Sequence, residues 1–80
     1  MTIRLHPQLT AALAEIDHHL EQGDTKQAEI MIARRLRRDD LDSTGRSVLL
    51  LRRARVRLYS EKPDDALADL ISAEELSPEY

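Results

Sequence analysis

The 80-residue chain predicts an all-α fold of about four helices arranged as two antiparallel hairpins, and three observations carry that reading. Ala, Leu, Arg, Asp and Glu dominate, while Phe and Trp are absent and Gly occurs twice, a composition that favours helix and supplies little for strands. Apolar residues recur at spacings of three and four through most of the chain, as one face of a helix requires. Clusters of Gly, Asp, Ser, Thr and Pro interrupt that periodicity near Gly23, over "RRDDLDSTGRS" and around Pro63.

The first helix is expected from about His6 or Pro7 to Gln22, with Leu9, Leu13, Ile16 and Leu20 inward and Gly23 as its stop. Asp24 or Thr25 then caps a second helix, in which Ala28, Met31, Ile32 and Leu36 form a single buried stripe. After the Asp39–Gly45 turn, Ser43 or Thr44 is the expected N-cap of a third helix, running from about Gly45 to Ser60 and burying Leu50, Leu51, Ala54 and Leu58. The fourth helix, "PDDALADLISAEELSP", has both ends written out. Pro63 suits the first turn, Asp64 and Asp65 suit the positive end of the helix dipole, and Pro78 stops it. Ala66, Leu70 and Ala73 share one face, with Leu67 and Ile71 as an adjacent row; two alanines on the inner side let a neighbouring helix approach closely.

Eighty residues make one domain, spanning 1–80, and a domain of that size hides only ~60% of its unfolded surface. There is no cysteine, so neither a disulfide nor a thiolate metal site is available. The segment "MTIRLHPQL" carries no signal-peptide apolar region, and no apolar run is long enough to span a bilayer, so the expected location is cytoplasmic, with no membrane partner. Catalysis finds little support. His18 and His19 are adjacent and point about 100° apart on a helix, and His19 with Glu15 makes fewer ligands than zinc requires. No phosphate-cradling glycine loop or activated nucleophile is present, so no enzyme activity, cofactor or metal is expected.

The two hairpins read as a repeat. An offset of 38 residues places Leu13 on Leu51, Ile16 on Ala54, Leu20 on Leu58, Ala28 on Ala66 and Ile32 on Leu70, with Gly23 on Glu61 and Asp24 on Lys62 in the turns. The second unit, "LLLRRARVRLYSEKPDDALADLISAEELSPEY", resembles the tetratricopeptide repeat (TPR) family. Ala54 stands at the small residue of the close helix contact, Ala66 and Ala73 at the small residues of the second helix, Leu70 at its large apolar residue and Pro78 at the terminal proline; "EQGDTKQA" is similar to the inter-helix turn of the first unit. The units are expected at about 9–40 and 47–80. They depart from the family pattern: the usual period is 34, Arg35 replaces the counterpart of Ala73, Asp40 stands in place of the proline, and Arg53 and Arg57 occupy apolar positions.

That resemblance implies an adaptor or scaffold that binds a peptide or protein segment on its first-helix face, where Asp17, Glu21, Arg52, Arg55 and Tyr59 would lie. An arginine fork there suits a peptide carboxylate. Leu67 and Ile71 are the expected self-association row, giving a symmetric homodimer, although Glu74 interrupts that surface. The alternative is a nucleic acid or other polyanion held by the Arg34–Arg57 segment, which carries nine arginines against three aspartates; the acidic net charge of −3 and the lack of interleaved aromatics make nucleic acid the second choice.

Overall fold

A computed structural model of the chain describes residues 5–77. Four helices follow one another, α1 (Pro7–Glu21), α2 (Thr25–Leu36), α3 (Ser43–Tyr59) and α4 (Pro63–Leu76), and no strand occurs among the described residues. The fold is all-α. Within each hairpin the helices are sequence neighbours, and α3 is the central element, packing most extensively on α4 and also against α2 and α1.

Side chains and prolines start the helices. His6 caps α1 by accepting the Gln8 N–H on Nδ1 at 3.1 Å, and Asp24 caps α2 by accepting the Gln27 N–H at 3.3 Å. For α3 the cap is Asp42, not Ser43 or Thr44: its carboxylate accepts the Gly45 N–H at 2.7 Å, so the helix begins before the expected Gly45. Helix α4 has no side-chain cap and begins on Pro63, followed by Asp64 and Asp65. It ends at Leu76 with Ser77 as its C-cap. The stop expected at Pro78 lies outside the described residues.

The two hairpin turns are the same turn. In the first, the Gly23 N–H donates to the Leu20 carbonyl and the Asp24 N–H to the His19 carbonyl; in the second, the Glu61 N–H donates to Leu58 and the Lys62 N–H to Arg57. Each pair closes a Schellman motif, and every donor and acceptor of one is 38 residues from its counterpart in the other. Gly23 (φ 78°) and Glu61 (φ 60°) hold the left-handed position that such a motif needs.

Leu9, Leu13, Ile16 and Leu20 of α1 join Ala28 and Ile32 of α2 and Val48, Leu49 and Val56 of α3 in the main core, with Met31 and Leu36 packed at its edge. Five expected core positions differ, among them Met31 and Leu36, which are only half-buried at the edge of the core. Leu58 is 55% exposed and Leu70 is 41% exposed, while Leu51 is half-buried. Their first-unit counterparts Leu20 and Ile32 are buried because α3 follows and joins their cluster; no helix among the described residues follows α4 to do the same for Leu58 and Leu70. Helix α3 instead buries Ser47, Val48, Leu49, Leu50, Ala54 and Val56, a wide arc that serves neighbours on both sides.

The α3–α4 seam is built from small side chains. Ala54, Ala66 and Ala73 are each at most 2% exposed, and the buried Ser47 hydroxyl donates to the Ala73 carbonyl at 2.8 Å. Asp69 lies in the same seam. It is 3% exposed and receives two bonds from Arg53 (2.9 and 3.0 Å) and one from Arg57 (2.8 Å). Arg53 and Arg57 thus form an ion-pair clamp between two helices.

Candidate functional site

Two surfaces are organised enough to act on a partner. The first lies where α1 meets α3. Asp17 on α1 accepts both arms of the Arg52 fork from α3, Nε at 3.2 Å and Nη2 at 3.1 Å, and Arg52 Nη1 also reaches the Val48 carbonyl at 3.5 Å. One turn further along α3, Arg55 donates from Nε to the Tyr59 hydroxyl at 3.1 Å, with its guanidinium carbon 5.7 Å from the Tyr59 ring centroid. That hydrogen bond holds the Arg55 guanidinium above its ordinary value, with the carboxylates of Asp17 and Glu21 adding to the effect from farther away. Asp17, Leu51, Arg52 and Arg55 line a cleft of about 240 Å³. Thus four of the five expected residues, Asp17, Arg52, Arg55 and Tyr59, are joined in two linked pairs, while Glu21 is exposed and in no ion pair among the described residues.

This arrangement limits what the α1–α3 surface can bind. Arg52 is already committed in a bidentate pair, so an incoming carboxylate would have to displace Asp17 to use it. Arg55 keeps its two terminal nitrogens without a hydrogen bond to a described residue, and it is exposed. Together with the exposed Tyr59 ring it offers one cation and one flat apolar surface. The cleft is smaller than the ~300–1,000 Å³ of ordinary small-molecule sites. A second shallow cleft, about 170 Å³, is lined by His6, Arg35, Arg38 and Asp42 among others, and is smaller still.

The second surface lies on the outer side of the α3–α4 hairpin. Leu67 (56% exposed), Leu70 and Ile71 (50% exposed) stand at i, i+3 and i+4 on α4, and Leu58 on α3 is the counterpart of a core residue in the first unit. The only other large hydrophobics exposed among the described residues are Ile30 and Tyr59. Exposed aliphatic side chains are therefore concentrated on the second hairpin. At about 100° per residue, Leu67, Leu70 and Ile71 cover an arc of roughly 100°, Glu74 falls within it, and Asp64 and Glu75 border it. The expected self-association residues Leu67 and Ile71 thus share an exposed apolar row on α4 with Leu70, and Leu58 is exposed on α3 of the same hairpin.

The basic segment is largely engaged within the molecule. Arg38 forks onto Asp40 (3.0 and 3.1 Å), and that bond, more than burial, sets the direction in which Asp40 moves, below the usual carboxylate range. Arg52 is held by Asp17, Arg53 and Arg57 by Asp69, and Arg46 reaches the Leu36 carbonyl at 3.4 Å. Arginines already paired release fewer counterions from a nucleic acid than free ones. His19 faces Asp24, with Nδ1 3.6 Å from the carboxylate. Among the described residues, no group of three or more His, Asp or Glu side chains is placed to hold a metal ion, and no helix is long and apolar enough to cross a membrane.

Sequence reasoning missed Asp69. A charged residue on an amphipathic helix reads as solvent-facing, yet its register with Ala66 and Ala73, three residues after one and four before the other, already placed it in the small-residue seam. No protein-family model, curated protein or solved structure matches the chain.

Proposed function

We propose that the chain is a protein-interaction module, similar in plan to a short TPR unit, that binds a polypeptide through helical surfaces rather than acting on a small molecule. The observation that carries this reading is the unequal burial of equivalent positions. Leu20 and Ile32 are buried at 4% and 0%, whereas Leu58 and Leu70, 38 residues on in a hairpin closed by the same turn, are 55% and 41% exposed. A hairpin that repeats a core face without covering it presents a surface suited to another helix. The self-association expected through Leu67 and Ile71 is one way of covering this surface, and a different polypeptide is another. The Arg55–Tyr59 pair beside the α1–α3 cleft supports a second contact for an extended segment carrying a carboxylate.

The test is selection from a displayed peptide library on the immobilised protein, followed by fluorescence anisotropy of the enriched sequences and of a labelled single-stranded and duplex DNA. The reading predicts enriched peptides with micromolar or better affinity and no DNA binding at physiological salt. No enrichment, together with DNA binding that falls steeply as salt rises, would replace this function with polyanion binding.

A further inference from the structure

We infer that the open face of the α3–α4 hairpin is a docking site for a basic amphipathic helix of a partner protein, with Glu74 as its central charged contact. The inference rests on the protein-binding function proposed above and specifies its partner. The aliphatic part of the α4 face is Leu67, Leu70 and Ile71, with Leu58 exposed on α3; internal repetition bears on Leu58 and Leu70, since the counterparts of Leu67 and Ile71 are Glu29 and Ala33, outside the core of the first hairpin. The equivalent face of the first hairpin, built on Leu20 and Ile32, shares a core with Val48, Leu49 and Val56 of α3, an aliphatic row on a helix. A helix with a similar row suits the second face.

Charge decides which helix. Helix α4 carries Asp64, Asp65, Asp69, Glu74 and Glu75 and no basic residue, whereas α3 carries five arginines and no acid. Asp69 is consumed by the arginine clamp, which leaves the other four acids exposed. Of these, Glu74 lies within the apolar arc and Asp64 and Glu75 along its border. A helix seated on this row would meet Glu74 within the stripe and Asp64 and Glu75 along its Ile71 side, so its complement is Arg or Lys beside the aliphatic stripe.

A second copy fits less well. If α4 packed on its own symmetry mate, acid would meet acid whether the helices ran parallel or antiparallel, because α4 has no base at any position. Among the described residues the first hairpin exposes only Ile30 as a large aliphatic side chain, so a head-to-tail stack would meet the apolar face with a mostly polar one.

The probe is a synthetic peptide of about 18 residues, long enough to hold a helix, with leucines at i, i+3, i+4 and i+7 flanked by arginines. A scrambled peptide of the same composition and a version with glutamate in place of arginine are the comparisons. Fluorescence anisotropy should show that the arginine peptide binds at least about tenfold more tightly than either comparison. Two variants test the site without weakening the fold: Leu67→Ser with Ile71→Ser replaces exposed side chains, and Glu74→Lys with Glu75→Lys places bases where the helix dipole favours them. Each should cost about tenfold or more in affinity, and the lysine variant should bind the glutamate peptide better than the unaltered protein does. Equal binding of the scrambled peptide, or affinity unchanged in both variants, would overturn the inference. So would a concentration-dependent dimer in light scattering that Leu67→Ser with Ile71→Ser abolishes, since the occupant would then be a second copy. Peptide binding lost on Arg55→Ala but kept in both α4 variants would place the contact on the α1–α3 surface; the protein-binding function would stand and this inference would fall.

Discussion

Asp69 occupies a position where its seam otherwise carries alanine, and the two arginines that meet it explain how a carboxylate survives there. Its side chain is 4% exposed, and those of Arg53 and Arg57 are 33% and 31% exposed. The acid is fully desolvated while its partners keep one side in water, so the clamp holds α3 to α4 in a fixed register. Removing one partner of a buried pair costs ~3–5 kcal/mol when the other charge is stranded. Here the arginines can turn toward solvent, and we predict about 2–3 kcal/mol for Asp69→Ala, read as a lowered midpoint in urea. Arg52→Ala, which breaks the half-exposed pair with Asp17, should cost no more than about 1 kcal/mol. Equal effects would show that burial does not distinguish the two pairs.

At the scale of elements, the shared turn and the α3–α4 seam each make a separable prediction. Glu61 holds a left-handed conformation that costs a side-chain-bearing residue about 1 kcal/mol, so Glu61→Gly should stabilise the protein by about 0.5–1 kcal/mol. Gly23→Ala should destabilise it by about 1 kcal/mol through backbone conformation alone, because a Cβ there would meet nothing within 4 Å. Ala66→Leu or Ala73→Leu should cost ~1–3 kcal/mol by forcing α3 and α4 apart. Leu67→Ser, on the exposed row, should stay within about 0.5 kcal/mol. Denaturation midpoints measured side by side separate these cases. The helices themselves were readable because turn residues punctuate them: Gly23, the Asp-rich connection and Pro63 each end or begin one. The start of α3 was less so, since Asp42, Ser43 and Thr44 can all cap and the pattern does not rank adjacent candidates. The Asp17–Arg52 pair joins residues 35 apart, brought together by the packing of α1 against α3.

For the molecule as a whole, periodicity identifies an apolar stripe but not what covers it. Leu20 and Leu58 look alike in sequence, as do Ile32 and Leu70, and what separates them among the described residues is that α3 follows and packs on the first pair. That is why periodicity puts Leu58 and Leu70 in the core and Leu67 and Ile71 in an adjacent row. The central claim is that this outer face of the second hairpin receives a partner helix. Methyl NMR of the protein labelled at leucine and isoleucine, titrated with the arginine-flanked amphipathic peptide, tests it most directly. The account predicts saturable shifts at Leu58, Leu67, Leu70 and Ile71, with Leu13, Ile16 and Leu20 of the main core unmoved. Shifts absent from those four residues at saturating peptide, or confined to Leu51 beside the α1–α3 cleft, would contradict it.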